Sequence, residues 1–347
     1  MKVLERVDEN LSAPEQTVRG VLQLINGARN QFCLVVDAER RLLGTVTDGD
    51  IRRGILQGVS LNDAVERCMY RTPRVGHVDR PWEHADLLRD LPFLPVVDQG
   101  GRMVSVLLPS EHRFGLAEAV VMVGGLGQRL GSITAATPKP LLPVAGKPIL
   151  ERIIDNLENA GIGRVWLAVN HMADQFRSFA ERRKGKADIR LLHESTKLGT
   201  AGALGLLPEP PASPLLVLNG DVVTQVNFAA LDAFHRGQGL DGTIAVAHHQ
   251  VRVPYGVIRH DPGGMFTGVE EKPTLTHFVA AGIYYLSPRV VAMVPRNVRT
   301  DMPDLLNEAH KVGLHFGLFP IHEYWADVGH PEDLAAVDAY HKANARE

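Results

Sequence analysis

The sequence has few cysteines, no long apolar run and little net charge. Its 347 residues include two isolated cysteines, Cys33 and Cys68, which favour a protein with reduced thiols over a disulfide scaffold. No apolar run is long enough to cross a bilayer, and residues 1–6 carry no signal-peptide pattern, so we expect a cytoplasmic protein with no membrane partner. The formal net charge of -3 indicates no nucleic-acid partner.

Two common phosphate-binding patterns are also absent. The P-loop pattern does not occur, and Leu130 stands where the last glycine of a dinucleotide-binding loop would be. Instead, a glycine-rich turn at residues 124–127 follows the apolar run 119–123, and Arg129 and Lys139 come behind it. Such a turn exposes backbone N–H groups to phosphate. Glycines alone would fit an ordinary turn, but the two cations favour a nucleoside triphosphate site.

An internal repeat marks the first hundred residues. The segment 32–37 (FCLVVD) recurs at 93–98 (FLPVVD), and each copy continues through a turn into a second apolar strand. A helix-like stretch precedes each copy, at residues 17–27 and 82–90. We therefore predict one compact unit of two βαβ-like copies.

The first copy closely resembles the CBS motif. The resemblance rests on residues 43–53 (LGTVTDGDIRR) and covers roughly residues 5–112. It implies a CBS pair, or Bateman module, which binds an adenine or guanine nucleotide and mediates homo-oligomerisation. The family places the Thr and Asp of its T-x-x-D element, here Thr47 and Asp50, on ribose or phosphate.

The two copies differ at the expected nucleotide site. In the register of the repeat, Leu108 and Glu111 stand where the first copy has its Thr and Asp, so we expect a single site in the pair. A plainer interpretation is that Asp48 caps a helix over residues 51–57, which would hold with or without a ligand. Residues 112–116 form the predicted linker between domains at 1–115 and 116–347.

The second domain alternates apolar strands with helix-like stretches. This alternation predicts a doubly wound α/β fold, in which ligands bind outside the carboxyl ends of the strands. The predicted strands are 119–123, 164–170, 188–193, 214–219 and 243–248, and the predicted helices are 148–160, 173–183, 200–207 and 227–236. The adjacent His248 and His249 are expected to end a strand rather than bind metal.

Two acids follow apolar strands in this domain. Asp221 comes after the run 214–219, and Asp327 lies in the motif WADVG. Either alone would fit a turn or a helix cap, but a carboxylate at a strand end can also hold Mg²⁺ beside phosphate oxygens. The pair therefore indicates a magnesium site.

Eight motifs in fixed order resemble the sugar-1-phosphate nucleotidyltransferases over about residues 117–345: VGGLGQRL, TPKPLLPVAGKPIL, LGTAGAL, NGD, PYGVI, EEKP, AAGIY and WADVG. The resemblance implies an enzyme that joins a nucleoside triphosphate and a sugar-1-phosphate, releases pyrophosphate and needs Mg²⁺. The roles that it implies are nucleotide binding by Gly124, Gly125, Gly127, Asn170, Gly199 and Thr200; phosphate contacts at the reacting centre by Arg129, Lys139 and Lys272; Mg²⁺ binding by Asp221 and Asp327; and sugar binding by Tyr255, Gly256, Glu271 and Gly282.

The fusion of the two domains is similar to the glucosamine-1-phosphate guanylyltransferases of legionaminic acid biosynthesis. It implies GTP and glucosamine-1-phosphate as substrates, in a nucleotide-sugar pathway that supplies cell-surface glycans. Ala280 replaces an Asn that many relatives carry in the sugar pocket. Mannose- or heptose-1-phosphate with GTP, and UTP or dTTP chemistry, remain alternatives.

Two interpretations without catalysis remain. One is a catalytically dead regulatory subunit, and the other is a nucleotide-sensing CBS module with a structural partner domain. The presence of both acids and of all three expected cations argues against each. A single missing acid would have favoured them.

Overall fold

The computed structural model describes residues 1–4, 6–27, 31–88, 91–109, 117–125 and 127–344. The chain folds as two compact units, residues 1–114 and 115–347. The predicted linker at 112–116 and Glu111 lie outside the described residues. No described helix is long and apolar enough to span a membrane.

The first unit contains two small sheets that repeat the same strand pattern. The sheets have the orders β2-β3-β4 and β1-β7-β6-β5. Its strands are β1 (Lys2–Val3), β2 (Leu11–Ser12), β3 (Phe32–Val36), β4 (Leu42–Thr47), β5 (Gly76–His77), β6 (Leu94–Val97) and β7 (Met103–Leu108), and its helices are α1 (Val18–Gly27), α2 (Asp48–Leu56) and the short α3 (His84–Leu87).

The internal repeat predicted from the sequence is confirmed by strand pairing. In each copy a short strand pairs in parallel with the apolar FxxVV strand, which pairs antiparallel with the next and carries a bulge at the same place. The first residues of the two repeated segments, Phe32 and Phe93, stack with ring centroids 3.8 Å apart. The apolar faces of the two copies therefore meet in a shared core.

The start of α2 differs from the expectation for Asp48. Thr47 is the N-cap, and it forms a capping box with Asp50, whose carboxylate accepts from the backbone N–H of Thr47 at 2.8 Å. Asp48 instead pairs with the fully buried Arg52, one turn further along the helix. The prediction that Asp48 caps the helix is wrong, because this buried guanidinium uses its carboxylate.

The second unit is built on one mixed sheet of seven strands. Their order is β12-β11-β8-β13-β18-β15-β19. The strands of this unit are β8 (Glu118–Met122), β9 (Pro143–Val144), β10 (Lys147–Pro148), β11 (Arg164–Val169), β12 (Asp188–His193), β13 (Leu215–Asn219), β14 (Val222–Thr224), β15 (Gly242–Arg252), β16 (Val257–His260), β17 (Phe266–Glu270), β18 (Thr274–Leu286), β19 (Phe316–Pro320) and β20 (Trp325–Asp327).

Helices cover both faces of this sheet. They are α4 (Ile149–Asn159), α5 (Ala173–Arg182), α6 (Phe228–Gly237), α7 (Pro288–Val291), α8 (Met302–Lys311) and α9 (Pro331–Asn344). Successive residues of β8 point to opposite cores: Ala119 and Val121 pack with α4 to α6, and Val120 packs with α7 and α8. A strand buried on both faces must be apolar throughout, which explains its unbroken hydrophobic run. The doubly wound α/β architecture is thus confirmed.

Two predicted elements take a different form. Residues 202–206 form a 3-10 turn instead of the predicted helix at 200–207. Strand β15 does not end at His248 but runs on to Arg252. It continues because β18 pairs with it along this whole length, so that the two strands leave the sheet as an arm with the β16–β17 hairpin.

Candidate active site

The two predicted metal-binding acids lie side by side. A short antiparallel ribbon of β14 and β20 pairs Val222 with Asp327, and Val328 donates its N–H to the carbonyl of Asp221 at 3.1 Å. The two acids are more than a hundred positions apart in the chain, so only this ribbon brings them together.

A close backbone approach holds Asp221 at the carboxyl end of β8. Gly220 donates its N–H to the carbonyl of Met122 at 2.9 Å. A Cβ at this position would lie 2.7 Å from Val123 and 2.8 Å from that carbonyl, so only glycine fits. The NGD motif therefore places its acid directly beside the glycine-rich turn.

Lys139 joins the two carboxylates. Its ammonium lies 2.6 Å from Asp221 Oδ2 and 3.8 Å from Asp327 Oδ1, and its side chain is only 9% exposed. Partial burial and the neighbouring charge of Asp221 raise the pKa of Asp327 above its ordinary value. The ammonium of Lys139 offsets the repulsion between the two neighbouring carboxylates.

Lys139 and Asp221 line an open cleft of about 280 Å³, and Asp327 is not among its lining residues. Five of the predicted site residues line the cleft: Gly125, Gly127, Arg129, Lys139 and Asp221. It also contains Lys197 and Gly329, which the sequence did not single out. Arg129 lies beside Gly329, because a Cβ added to Gly329 would be 3.4 Å from Arg129 Nη1.

A buried carboxylate stands next to the cleft. Glu194, directly after β12, is 5% exposed, and its Oε2 accepts from the N–H of Leu198 at 2.9 Å. Its Oε1 lies 3.2 Å from the point where a Cβ on Gly124 would be. Burial raises the pKa of Glu194 above its ordinary value. The sequence analysis did not select Glu194. It is, however, an acid that follows a predicted strand, which is the pattern that selected Asp221.

Asn170 fixes the position of this acid. It follows β11, and its side-chain amide donates to the carbonyl of Glu194 at 2.9 Å. The predicted nucleotide-binding residues Gly124 and Asn170 therefore lie together, beside Glu194. Asn170 and Glu194 directly follow the parallel strands β11 and β12, and the parallel strand β13 ends in Asn219.

Gly199 and Thr200 are engaged with the start of α8. The Thr200 hydroxyl accepts from the N–H of Met302 at 2.7 Å, and Asp301 accepts from the N–H of Thr200 at 3.1 Å. Gly199 adopts a φ of +84°, with its α-carbon facing Asp301. These contacts hold both residues against the start of α8, and the two residues are not among those that line the cleft. Their predicted role in nucleotide binding stays a prediction.

The predicted sugar-binding residues fall in two places. On the arm, a Cβ on Gly256 would lie 2.9 Å from Glu271, whose carboxylate is 3.8 Å from the ammonium of Lys272. Tyr255 is 74% exposed there. These residues form one exposed cluster at the end of the arm.

Gly282 lies apart from that cluster, in the sheet. It has a φ of +71°, and a Cβ there would lie 2.7 Å from the amide of Asn219, two residues before Asp221. Trp325 donates its indole N–H to the neighbouring carbonyl of Ala281 at 2.9 Å. Gly282 therefore lies beside Asn219 at the end of β13 and not with the exposed cluster.

The donor set fits a magnesium ion that arrives with phosphate. Among the described residues there is no group of three or more His, Cys, Asp and Glu side chains that could hold a metal. Mg²⁺ commonly uses one or two carboxylates and completes its shell with water and substrate phosphates. Asp221 and Asp327 supply that number of ligands.

In the first unit, Thr47 and Asp50 bond to each other. The Thr47 hydroxyl lies 2.6 Å from Asp50 Oδ2, and Arg53 pairs with the other carboxylate oxygen. Leu108 is half-buried at the end of β7. The polar pair at the start of α2 thus has no polar counterpart at Leu108.

Comparisons with known proteins agree with both units. A model of the CBS domain matches residues 13–57, the first copy of the repeat. The chain is 33% identical to the mannose-1-phosphate guanylyltransferase catalytic subunit beta of Drosophila pseudoobscura pseudoobscura, over 62% of this chain and 60% of that protein. It is 33% identical to the mannose-1-phosphate guanyltransferase of Schizosaccharomyces pombe, over 62% of each. The chain therefore spans about three fifths of the length of these relatives.

A solved structure and a family model cover the second unit. HddC from Yersinia pseudotuberculosis is 26% identical, with a TM-score of 0.51 over 65% of this chain and 99% of that one. A second structure of HddC, complexed with GMP-PN, superposes with a TM-score of 0.50 over the same shares. The nucleotidyl transferase model matches residues 118–344. Because this match covers more than half of the 347 residues, the chain belongs to the nucleotidyl transferase family.

Proposed function

We propose that this protein transfers a nucleotidyl group, GMP from GTP, to a sugar-1-phosphate and releases pyrophosphate. The observation that carries the proposal is the contact of Lys139 with both Asp221 and Asp327 in a cleft beside the glycine-rich turn. Cations and a carboxylate pair at one place match the charges of a triphosphate and its metal ion.

The reaction is an in-line displacement at phosphorus. A phosphate oxygen of the sugar-1-phosphate forms a bond to the α-phosphorus. The bond from that phosphorus to the oxygen bridging to the β-phosphate breaks, and pyrophosphate leaves with its electron pair. No protein nucleophile takes part, so catalysis comes from positioning and from neutralising charge.

The resemblance to the sugar-1-phosphate nucleotidyltransferases supports a role for each charged residue. Arg129 and Lys139, in the cleft, face the triphosphate, and Lys272, on the arm, holds the sugar phosphate. The backbone N–H groups of Gly125 and Gly127 bind phosphate oxygens. Asp221 and Asp327 would hold a divalent cation, for which Mg²⁺ is the proposed ion. When bound, this cation would neutralise phosphate charge.

The buried acid Glu194 supports guanine as the base. Guanine presents two adjacent donors, N1–H and N2–H, to which one carboxylate can bind. Uracil and thymine present a single N–H flanked by two carbonyl oxygens, which a carboxylate repels. A buried acid aimed at Gly124 therefore favours GTP over UTP or dTTP.

The sugar is a hexose-1-phosphate in this proposal. The names of the curated relatives favour mannose-1-phosphate, which was an alternative in the sequence analysis. The domain fusion favours glucosamine-1-phosphate and a role in legionaminic acid and cell-surface glycan synthesis. We retain both sugars as candidates.

The CBS unit has a separate proposed role. Thr47 and Asp50 would bind the ribose or phosphate of an adenine or guanine nucleotide at the start of α2. We propose that this site regulates the enzyme or its assembly into a homo-oligomer. Domains at 1–115 and 116–347 would thus separate regulation from chemistry, in a cytoplasmic enzyme.

A substrate panel tests the proposed function. Pyrophosphate release is measured with GTP, UTP, dTTP, CTP and ATP, each against mannose-, glucosamine-, glucose- and heptose-1-phosphate. We expect GTP to give the highest kcat/KM with mannose- or glucosamine-1-phosphate. A higher value with UTP or dTTP would contradict the base assignment. No release with any pair would favour the regulatory-subunit alternative.

A further inference from the structure

We infer that Lys139 is an internal counter-ion of the metal site, and that triphosphate binding releases it and so couples nucleotide binding to metal binding. The inference rests on the proposed function for the identity of the ligands. Its structural basis is the ion pair of Lys139 with Asp221 at 2.6 Å and its approach to Asp327 at 3.8 Å.

The single ammonium group of Lys139 interacts with the carboxylates of both Asp221 and Asp327. Lys139 lies on the short turn Lys139–Leu141, and its side chain is 9% exposed, whereas the side chains of Asp221 and Asp327 are 29% and 48% exposed. The lysine therefore contacts the acids from the protein side, and the acids present their remaining surface to the cleft. The charge of the pair is partly cancelled before any ligand arrives.

Two other cations of the cleft do not share this role. Among the described residues, neither Arg129 nor Lys197 makes an ion pair within 4.0 Å. Arg129 acts on Asp327 through its charge at longer range. Lys139 is the described cleft cation that contacts both acids directly, so its transfer to a phosphate changes them most.

A divalent cation and the Lys139 ammonium compete for the same oxygen atoms. A doubly charged ion at Asp221 would lie within a few ångströms of the ammonium, and the repulsion is strong in a half-buried site. A triphosphate gives Lys139 another anion to contact. Once it moves there, both carboxylates are free for the metal. By linkage, metal binding strengthens triphosphate binding to the same extent.

The first arm of the test measures Mn²⁺ binding to the nucleotide-free protein by electron paramagnetic resonance. We expect Lys139→Met, which keeps the length of the side chain and removes its charge, to bind Mn²⁺ roughly tenfold more tightly than the wild type. Lys147→Met is the matched control, because Lys147 also pairs with an aspartate, Asp155, away from the acid pair. We expect the control to bind like the wild type.

The second arm measures binding of inorganic tripolyphosphate in EDTA by calorimetry. Tripolyphosphate carries the phosphates of the nucleotide without its ribose and base. We expect Asp221→Asn to bind it severalfold more tightly than the wild type, because Lys139 loses its closer partner. Asp327→Asn should have the smaller effect, as its carboxylate lies farther from the ammonium.

Three outcomes would overturn the inference. The first is that Lys139→Met binds Mn²⁺ no more tightly than the wild type, or not at all, and the second is that Lys147→Met gains as much Mn²⁺ affinity. The third is that Asp221→Asn binds tripolyphosphate no more tightly than the wild type. Mn²⁺ should also raise the melting temperature of Lys139→Met more than that of the wild type, which shows that the variant is folded. Neither arm needs turnover, so the pyrophosphate-release panel decides the proposed function separately.

Discussion

Val328 donates its backbone N–H to the carbonyl oxygen of Asp221 at 3.1 Å, and this bond extends the ribbon that pairs Val222 with Asp327. The chemistry of the cleft depends on this contact between distant parts of the chain. It places two carboxylates against one lysine, which is the arrangement on which the proposed metal and phosphate site depends. The predictions below test this arrangement and its surroundings.

The acid pair is tested by replacing each carboxylate with an uncharged amide of about the same size. We expect Asp221→Asn and Asp327→Asn each to lower kcat by about 100-fold or more, because the amide holds a divalent cation far less well. Asp174→Asn, on the exposed surface of α5, is the control and should keep full activity. Near-normal turnover of either variant at saturating Mg²⁺ would show that its acid is structural.

Arg129 is tested by separating binding from chemistry. Because Arg129 would stabilise charge that develops during transfer, we expect Arg129→Ala to lower kcat and not merely raise KM. Arg129→Lys should restore part of the rate, since it keeps the charge but loses the planar donor pair. A change in KM alone would mean that Arg129 only recruits the nucleotide.

Base choice is tested at Glu194. We expect Glu194→Gln to shift the ratio of kcat/KM for GTP over UTP by about tenfold or more toward UTP, because an amide offers one donor and one acceptor. Glu118→Gln, at the opposite end of β8, is the matched control and should leave the ratio unchanged. An unchanged ratio in Glu194→Gln would show that another group recognises the base.

The pH dependence of stability is tested at Glu158. Arg183 donates to this carboxylate from two nitrogens, and these hydrogen bonds lower the pKa of Glu158 to about 2 from an ordinary value of 4.5. A carboxyl group whose pKa is lower in the folded state stabilises the fold above its unfolded pKa. That stabilisation is lost as the pH falls from 4.5 to about 2.

The lowered pKa of Glu158 predicts how Glu158→Gln changes the free energy of unfolding in urea. We expect the variant to lose about 2 kcal/mol at pH 7, and the difference from the wild type to shrink below pH 4.5. Glu151→Gln is the control, because Glu151 lies 3.9 Å from Arg183 and should contribute less. A difference that is constant with pH would contradict the prediction.

The CBS unit is tested by calorimetry with the catalytic cleft blocked by product. We expect adenine or guanine nucleotides to bind at a single site per chain and Asp50→Ala to abolish binding. Because Asp50 also closes the capping box of α2, this variant should lose about 1 kcal/mol of stability. Asp50→Asn keeps an acceptor for the cap and so separates the two effects. Two equal sites, or binding untouched by Asp50→Ala, would contradict the assignment.

Local sequence was sufficient for the fold class and for many of the elements. The unbroken apolar runs at β8 and β13 predict strands buried on both faces, and the repeat of FxxVVD predicts the two halves of the first unit. Both are confirmed, because hydrophobic periodicity reflects burial directly. The extension of β15 to Arg252 was not predictable, since its exposed half pairs with β18, a distant part of the chain, instead of packing into the core.

By itself, the sequence determined the doubly wound fold, the order of the motifs and the identity of the acids and cations. The tertiary structure alone decided which of them meet. It brought Lys139 between Asp221 and Asp327, turned Thr200 toward the start of α8, and buried Glu194 beneath Gly124. Spacing along a chain carries no information about such distances, because loops and strand crossovers set which carboxyl ends share an edge.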